Sequence, residues 1–117
     1  MAFVMKPKAS LKTKVVVTER GDFGKEEKSD FVIDFRKLSV ADLLEIRTLG
    51  KGEDAFSDEV FEKISETIKG WEGVLTSEKE EMPFSNTNLW MLLDWTEARR
   101  AIFFAFWEVQ NGHISKN

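Results

Sequence analysis

Apolar and polar residues alternate in two stretches of the first third of the chain. Leu11, Thr13, Val15 and Val17 fall on one side of an extended segment, with Lys12, Lys14 and Thr18 on the other. That is the period-two signature of a half-buried strand. Arg20 to Ser29 interrupts it with charges and with Gly21 and Gly24, and reads as a mobile loop. Alternation resumes with Phe31, Ile33 and Phe35 against Asp30, Asp34 and Arg36. The two strands are expected to pair antiparallel. A lone hairpin is marginal in water, so its apolar face must rest on helices or further strands.

Past Arg36 the period becomes helical. Ser39 and Asp42 have capping-box spacing, with Asp in place of Glu or Gln, and predict a short helix from about Ser39 to Leu49 that Gly50 and Gly52 stop. Asp54 or Ser57 caps a second helix running to about Lys69. On it Phe56, Val60, Phe61, Ile64, Ile68 and Trp71 share an arc of roughly 140°. Glu59, Glu62, Lys63, Glu66 and Lys69 lie opposite, and Gly70 and Gly73 end the helix around Trp71. Val74 to Met82 reads as an acidic loop with a brief hairpin-like turn. Behind Pro83, Ser85 or Asn86 caps a short helix through Asp94. Trp95 and Thr96 break it, and a last helix runs from about Thr96 to Gln110, ended by Gly112. The expected fold is α+β, an N-terminal antiparallel β-hairpin packed on three to four α-helices around a single core. Residues 1–117 form one domain, with loose tails at 1–10 and 113–117.

Length agrees, since 117 residues is a one-domain chain able to bury a real core without staples. Zero cysteines exclude disulfides and thiolate metal sites and fit a reducing cytosol. Met1 to Met5 starts apolar, but Lys6, Pro7 and Lys8 cut it short, so no signal peptide is read. The longest apolar run, Ala101 to Trp107, is too short for a bilayer.

Charge is uneven. Residues 1–20 carry five Lys/Arg against one Glu, and residues 51–81 carry ten acids against four lysines, within a net −4. Without a broad basic patch the chain is a poor nucleic-acid binder, and the basic start reads as a solvated tail leading into an edge strand.

Bond chemistry has little to work with. Glu59, Glu62 and Glu66 form a stripe, but no histidine or further acid is placed to complete a metal site, so they read as a solvated face. His113 is the sole histidine and lacks an orienting partner. Gly50-Lys51-Gly52 is a turn, too short for a phosphate loop. Arg99 and Arg100 have Asp94 or acids of a partner as candidate mates. Neither catalytic residues nor a cofactor are expected.

Packing chemistry, in contrast, is concentrated near the end, where residues 70–108 hold all four tryptophans. On the last helix Ala98, Ala101, Ile102, Ala105, Phe106 and Val109 make one apolar face. Phe103, Phe104 and Trp107 point away from it. Such a helix is either the enclosed centre of its own fold or buries its second face in another chain. Phe103, Phe104 and Trp107 are therefore candidate partner-binding residues. Trp90 and Met91 join them, flanking the Leu89, Leu92 and Leu93 face; capping the edge of the core is the other reading of that pair.

The order of these features resembles a known family. Gly70-Trp71-Glu72-Gly73-Val74, an acidic loop, Pro83-Phe84-Ser85, Asn88-Leu89, Leu92-Leu93, Ala101-Ile102 and Ala105-Phe106 follow one another as in the C-terminal half of the tail assembly chaperones of long-tailed bacteriophages and prophages. Phe31 to Ser39 is similar to the strand-then-helix opening of the same proteins. The resemblance spans roughly Val15 to Val109, and the Arg20–Ser29 segment departs from it. It implies a non-enzymatic protein of the host bacterial cytoplasm, absent from the mature virion. Such a protein binds the tape-measure protein during tail morphogenesis, with the tail-tube protein and a second copy of itself as further partners and with neither nucleic acid nor membrane. The alternatives are a structural tail or head–tail component of the particle, or a small bacterial protein-interaction module.

Overall fold

The computed structural model describes residues 10–111 together with residues 2, 3 and 5. The tail read at 113–117, with His113, and the stop at Gly112 lie outside the described residues, as do most of residues 1–10.

Three strands form one antiparallel sheet in the order β1 (Leu11–Arg20), β2 (Glu26–Phe35), β3 (Ile68–Glu72). Four helices accompany it, α1 (Val40–Leu49), α2 (Asp58–Ser65), α3 (Asn86–Leu93) and α4 (Thr96–Gln110). The fold is α+β, as the alternation and helical periods predict, with one strand more than the hairpin.

The alternating residues do what their period requires. Val15, Val17, Phe31, Ile33 and Phe35 are buried on the inner face of the sheet. There α4 lies along β1 and adds Ala98, Ile102, Ala105 and Phe106. Phe106 meets Phe35 edge to face at 5.6 Å. Val60, Phe61 and Ile64 from α2 and Leu89 and Leu93 from α3 close the core. Each such large side chain contributes roughly 1.5–3 kcal/mol by leaving water. Serines set the starts of three helices: the hydroxyls of Ser39, Ser57 and Ser85 accept from the N–H groups of Asp42, Val60 and Asn88 at 3.2, 3.3 and 3.0 Å.

Two expectations need correction. The Arg20–Ser29 loop is mostly strand. β1 and β2 stay in register out to Arg20↔Glu26, and only Gly21 to Lys25 turn the chain. Glu26 to Ser29 are exposed, because this end of the hairpin runs past the core, so no apolar face marks it in the sequence.

The second helix, expected to reach Lys69, ends at Ser65, and Ile68 and Trp71 belong to β3. Their spacing of three looks helical, yet a bulge explains it. Asp34 pairs with Gly70 but Phe35 with Ile68, so Lys69 is inserted into the ladder. The inserted residue reverses the side-chain parity and lets Ile68 and Trp71 both face the core. Phe56, placed on the same helical arc, sits in a 3-10 turn over Gly52–Phe56.

Local bonds then lock the pieces together. The Trp71 indole N–H donates to the Met82 carbonyl at 2.8 Å and its ring meets Phe84 at 5.2 Å, which pins the loop after β3. That loop makes the expected hairpin-like turn, bridging Leu75 to Glu81. It leaves β3 through Gly73, whose φ of +89° favours glycine and which has the Phe31 Cα 3.6 Å from where a Cβ would stand.

At the far end of α4, buried Gln110 ties the helix to the β2–α1 link. Its Oε1 accepts from the Leu38 N–H at 3.0 Å and its Nε2 donates to the Arg36 carbonyl at 2.7 Å. The Lys37 ammonium donates to its backbone carbonyl.

Candidate protein-binding cleft

Arg99, expected to pair with Asp94 or with a partner, is committed within the fold. It forms an ion pair with Asp58 at 2.9 Å and donates to the carbonyls of Leu93 and Phe56 at 2.7 and 2.9 Å. Its guanidinium lies over the rings of Phe61 and Trp90 at 5.0 and 5.9 Å. Arg100 covers Phe56 at 5.2 Å. This cluster decides where the candidate aromatics go.

Phe103 is half-buried, stacked on Phe56 at 4.6 Å and near Phe61 at 6.3 Å, so the 3-10 turn roofs it. Trp107, also half-buried, packs on Phe106 at 5.1 Å beneath the Arg47 guanidinium. Phe104 alone of the three stays open, at 56% exposure. It stands in a groove of about 1180 Å³ between α4 and β1, among Lys14, Val16, Thr18 and Arg100. Trp90 is half-buried beside Arg99, whereas Met91, next to it in sequence, is 57% exposed. The structure thus separates the five residues: Phe103, Trp107 and Trp90 line the edge of the core, and Phe104 and Met91 face outward in two different places.

Met91 has neighbours that periodicity alone did not single out. Trp95 at 61% and Leu75 at 52% exposure flank the same cleft, which encloses about 530 Å³. Its floor is the corner between α3 and α4, with Leu92 and Ala98 beneath Met91 and Trp95. The underside of the hairpin forms the roof, through Val17 and Phe31 and then, where the hairpin leaves the body, Glu19 and Ser29. The loop from Gly73 to Ser77, with Met82, makes the side wall.

A signal for Trp95 was present in the sequence. It occupies the N-cap of α4 with extended backbone and makes no side-chain capping bond. Ser, Thr, Asp and Asn are favoured there because they satisfy an orphan N–H. A tryptophan at that position gives up the cap, and its exposed indole is free for other contacts.

The rim of the cleft is acidic. Glu19 and Glu97 line it, and Glu78 and Glu80 are exposed farther along the loop beside Lys79. Asp30 borders the cleft through its backbone, its carboxylate being turned to Lys14 at 3.8 Å on the outer face of the hairpin. Glu81 accepts from the Gly73 N–H at 2.9 Å. Apolar walls with carboxylates on two sides suit the grip of an apolar segment that carries positive charge at its edges.

Other exposed apolar side chains are less concave in their setting. Val40 and Leu44 lie one turn apart on α1, and Phe23 stands at the hairpin tip. Glu59, Glu62 and Glu66 are exposed along α2 and the turn after it. Among the described residues no group of three or more His, Cys, Asp or Glu is placed to hold a metal ion. No helix among them is long and apolar enough to cross a membrane. No protein-family model, no curated protein and no solved structure matches the chain.

Proposed function

We propose that this protein is a non-enzymatic tail assembly chaperone of a long-tailed phage or prophage, which holds the tape-measure protein in the host cytoplasm until the tail tube forms around it. The observation that carries the reading is the exposed apolar group Leu75, Met91 and Trp95 around one cleft in an otherwise acidic chain. A holder of aggregation-prone helices needs apolar surface to engage them and net charge to stay dispersed while doing so. The succession of turn and apolar residues from Val15 to Val109 supports the same reading by its resemblance to that family.

A structural tail component is the second reading, and β1 favours it. Ten residues long and at the outer edge of the sheet, it offers backbone groups to another strand. Lys12 and Lys14, exposed along it, oppose self-pairing in that position.

Co-expression with a candidate tape-measure protein tests the proposal. The client is expected in the soluble fraction with the wild-type protein and in the pellet with the Met91→Asp and Trp95→Ser variants. A client that stays insoluble beside folded wild-type protein overturns the chaperone role. Recovery of this chain in purified particles favours the structural component instead.

A further inference from the structure

We infer that the cleft under the hairpin takes an amphipathic helix of a partner protein whose apolar stripe is flanked by lysine or arginine. This deepens the binding role above and rests on it only in treating the chain as a binder of polypeptide.

Charge selects the flanks. Glu19 comes from the roof and Glu97 from the floor, on two different elements, and both acids border one opening. The Asp30 carboxylate is instead turned to the outer face of the hairpin, where it pairs with Lys14. The wall continues with Glu78 and Glu80 against Lys79. Low-dielectric walls focus the field of these carboxylates, so a cationic segment is drawn in and an anionic one repelled.

Shape selects a helix. Val17 and Phe31 of the hairpin, Met91 and Leu92 of α3, and Trp95 and Ala98 at the start of α4 line a concave apolar surface, the kind of groove in which an amphipathic helix lays its apolar face. Trp95 is a large anchor with few torsions to freeze, whereas Met82 and Met91 adapt to the side chains that enter. About 530 Å³ falls within the range of pockets that bury most of a small ligand's surface. It therefore fits a few large side chains of one helix face.

The test uses two fluorescein-labelled synthetic peptides, an amphipathic helix of Leu and Lys and the same sequence with Glu for every Lys, titrated against the full chain by anisotropy. The Leu/Lys peptide is expected to bind and the Leu/Glu peptide to bind at least about tenfold more weakly. Trp95→Ser and Met91→Asp should each weaken the Leu/Lys peptide by about tenfold, while Leu44→Asp, exposed on α1 away from the cleft, leaves it unchanged. Equal binding of the two peptides, or a Leu/Lys affinity unmoved by the Trp95 and Met91 changes, overturns the assignment. Should those variants fail to fold by circular dichroism, the double reversal Glu19→Lys, Glu97→Lys decides. Loss of the preference for the Leu/Lys peptide upholds the cleft, and its persistence overturns it. A tape-measure protein that stays insoluble while the Leu/Lys peptide binds ends the chaperone reading and leaves this one standing.

Discussion

Gln110 shows how much one side chain can hold. It is 1% exposed and satisfies both the buried Leu38 N–H and the part-buried Arg36 carbonyl. Gln110→Leu keeps similar volume and removes both bonds. We expect a loss of about 1–3 kcal/mol, mainly the cost of stranding the buried Leu38 N–H, the Arg36 carbonyl being only part-buried, read as a lower urea midpoint at unchanged slope. A loss under half a kcal/mol, roughly the scatter of surface substitutions, would show that water takes over both bonds.

Phe23 is the opposite case. It is fully exposed with φ of 59°, a left-handed conformation that costs a non-glycine residue on the order of 1 kcal/mol. Phe23→Asn is expected to raise stability by about 0.5–1 kcal/mol, since Asn tolerates that region. A drop in the unfolding midpoint would mean the ring makes contacts that hold the turn.

At the scale of elements, legibility followed burial. Each helix start marked by a serine was readable, because the hydroxyl that caps it is a local device. The strand segments Val15–Val17 and Phe31–Phe35 were readable too, since one face of each is core. β3 was not. Lys69, inserted at the bulge, puts Ile68 and Trp71 on one face at a spacing that also fits a helix. The distal hairpin had no signal at all, being polar on both faces.

That polar end contains a flaw open to measurement: Glu19 and Glu27 stand directly opposite each other. Like charges at such positions destabilise a pair, so Glu27→Lys should gain up to about 1 kcal/mol. Thermal melts at low and high salt check this, with the gain shrinking as salt screens it. A gain that is independent of salt would point to a cause other than charge.

On the scale of the whole molecule, the candidate site was half visible. Helical periodicity marks Met91 as lying off the apolar face, and composition shows that aromatics crowd the last third of the chain. It could not show that Phe103 is roofed by the turn at Phe56, a contact between residues far apart in sequence. Nor could it bring the Glu19 end of the hairpin over the α3–α4 corner. The cleft is a product of topology, assembled from a strand that outruns its core and a helix pair that turns beneath it.

The direction of α4 has a practical corollary. Trp95 begins the helix at the cleft and Gln110 ends it against the β2–α1 link, about 22 Å away at 1.5 Å per residue. Leu11 pairs with Phe35 at that same distant end. The chain therefore enters β1 and leaves α4 at one pole, on the side opposite the binding mouth. Anything that held the protein at that pole would leave its cleft facing outward.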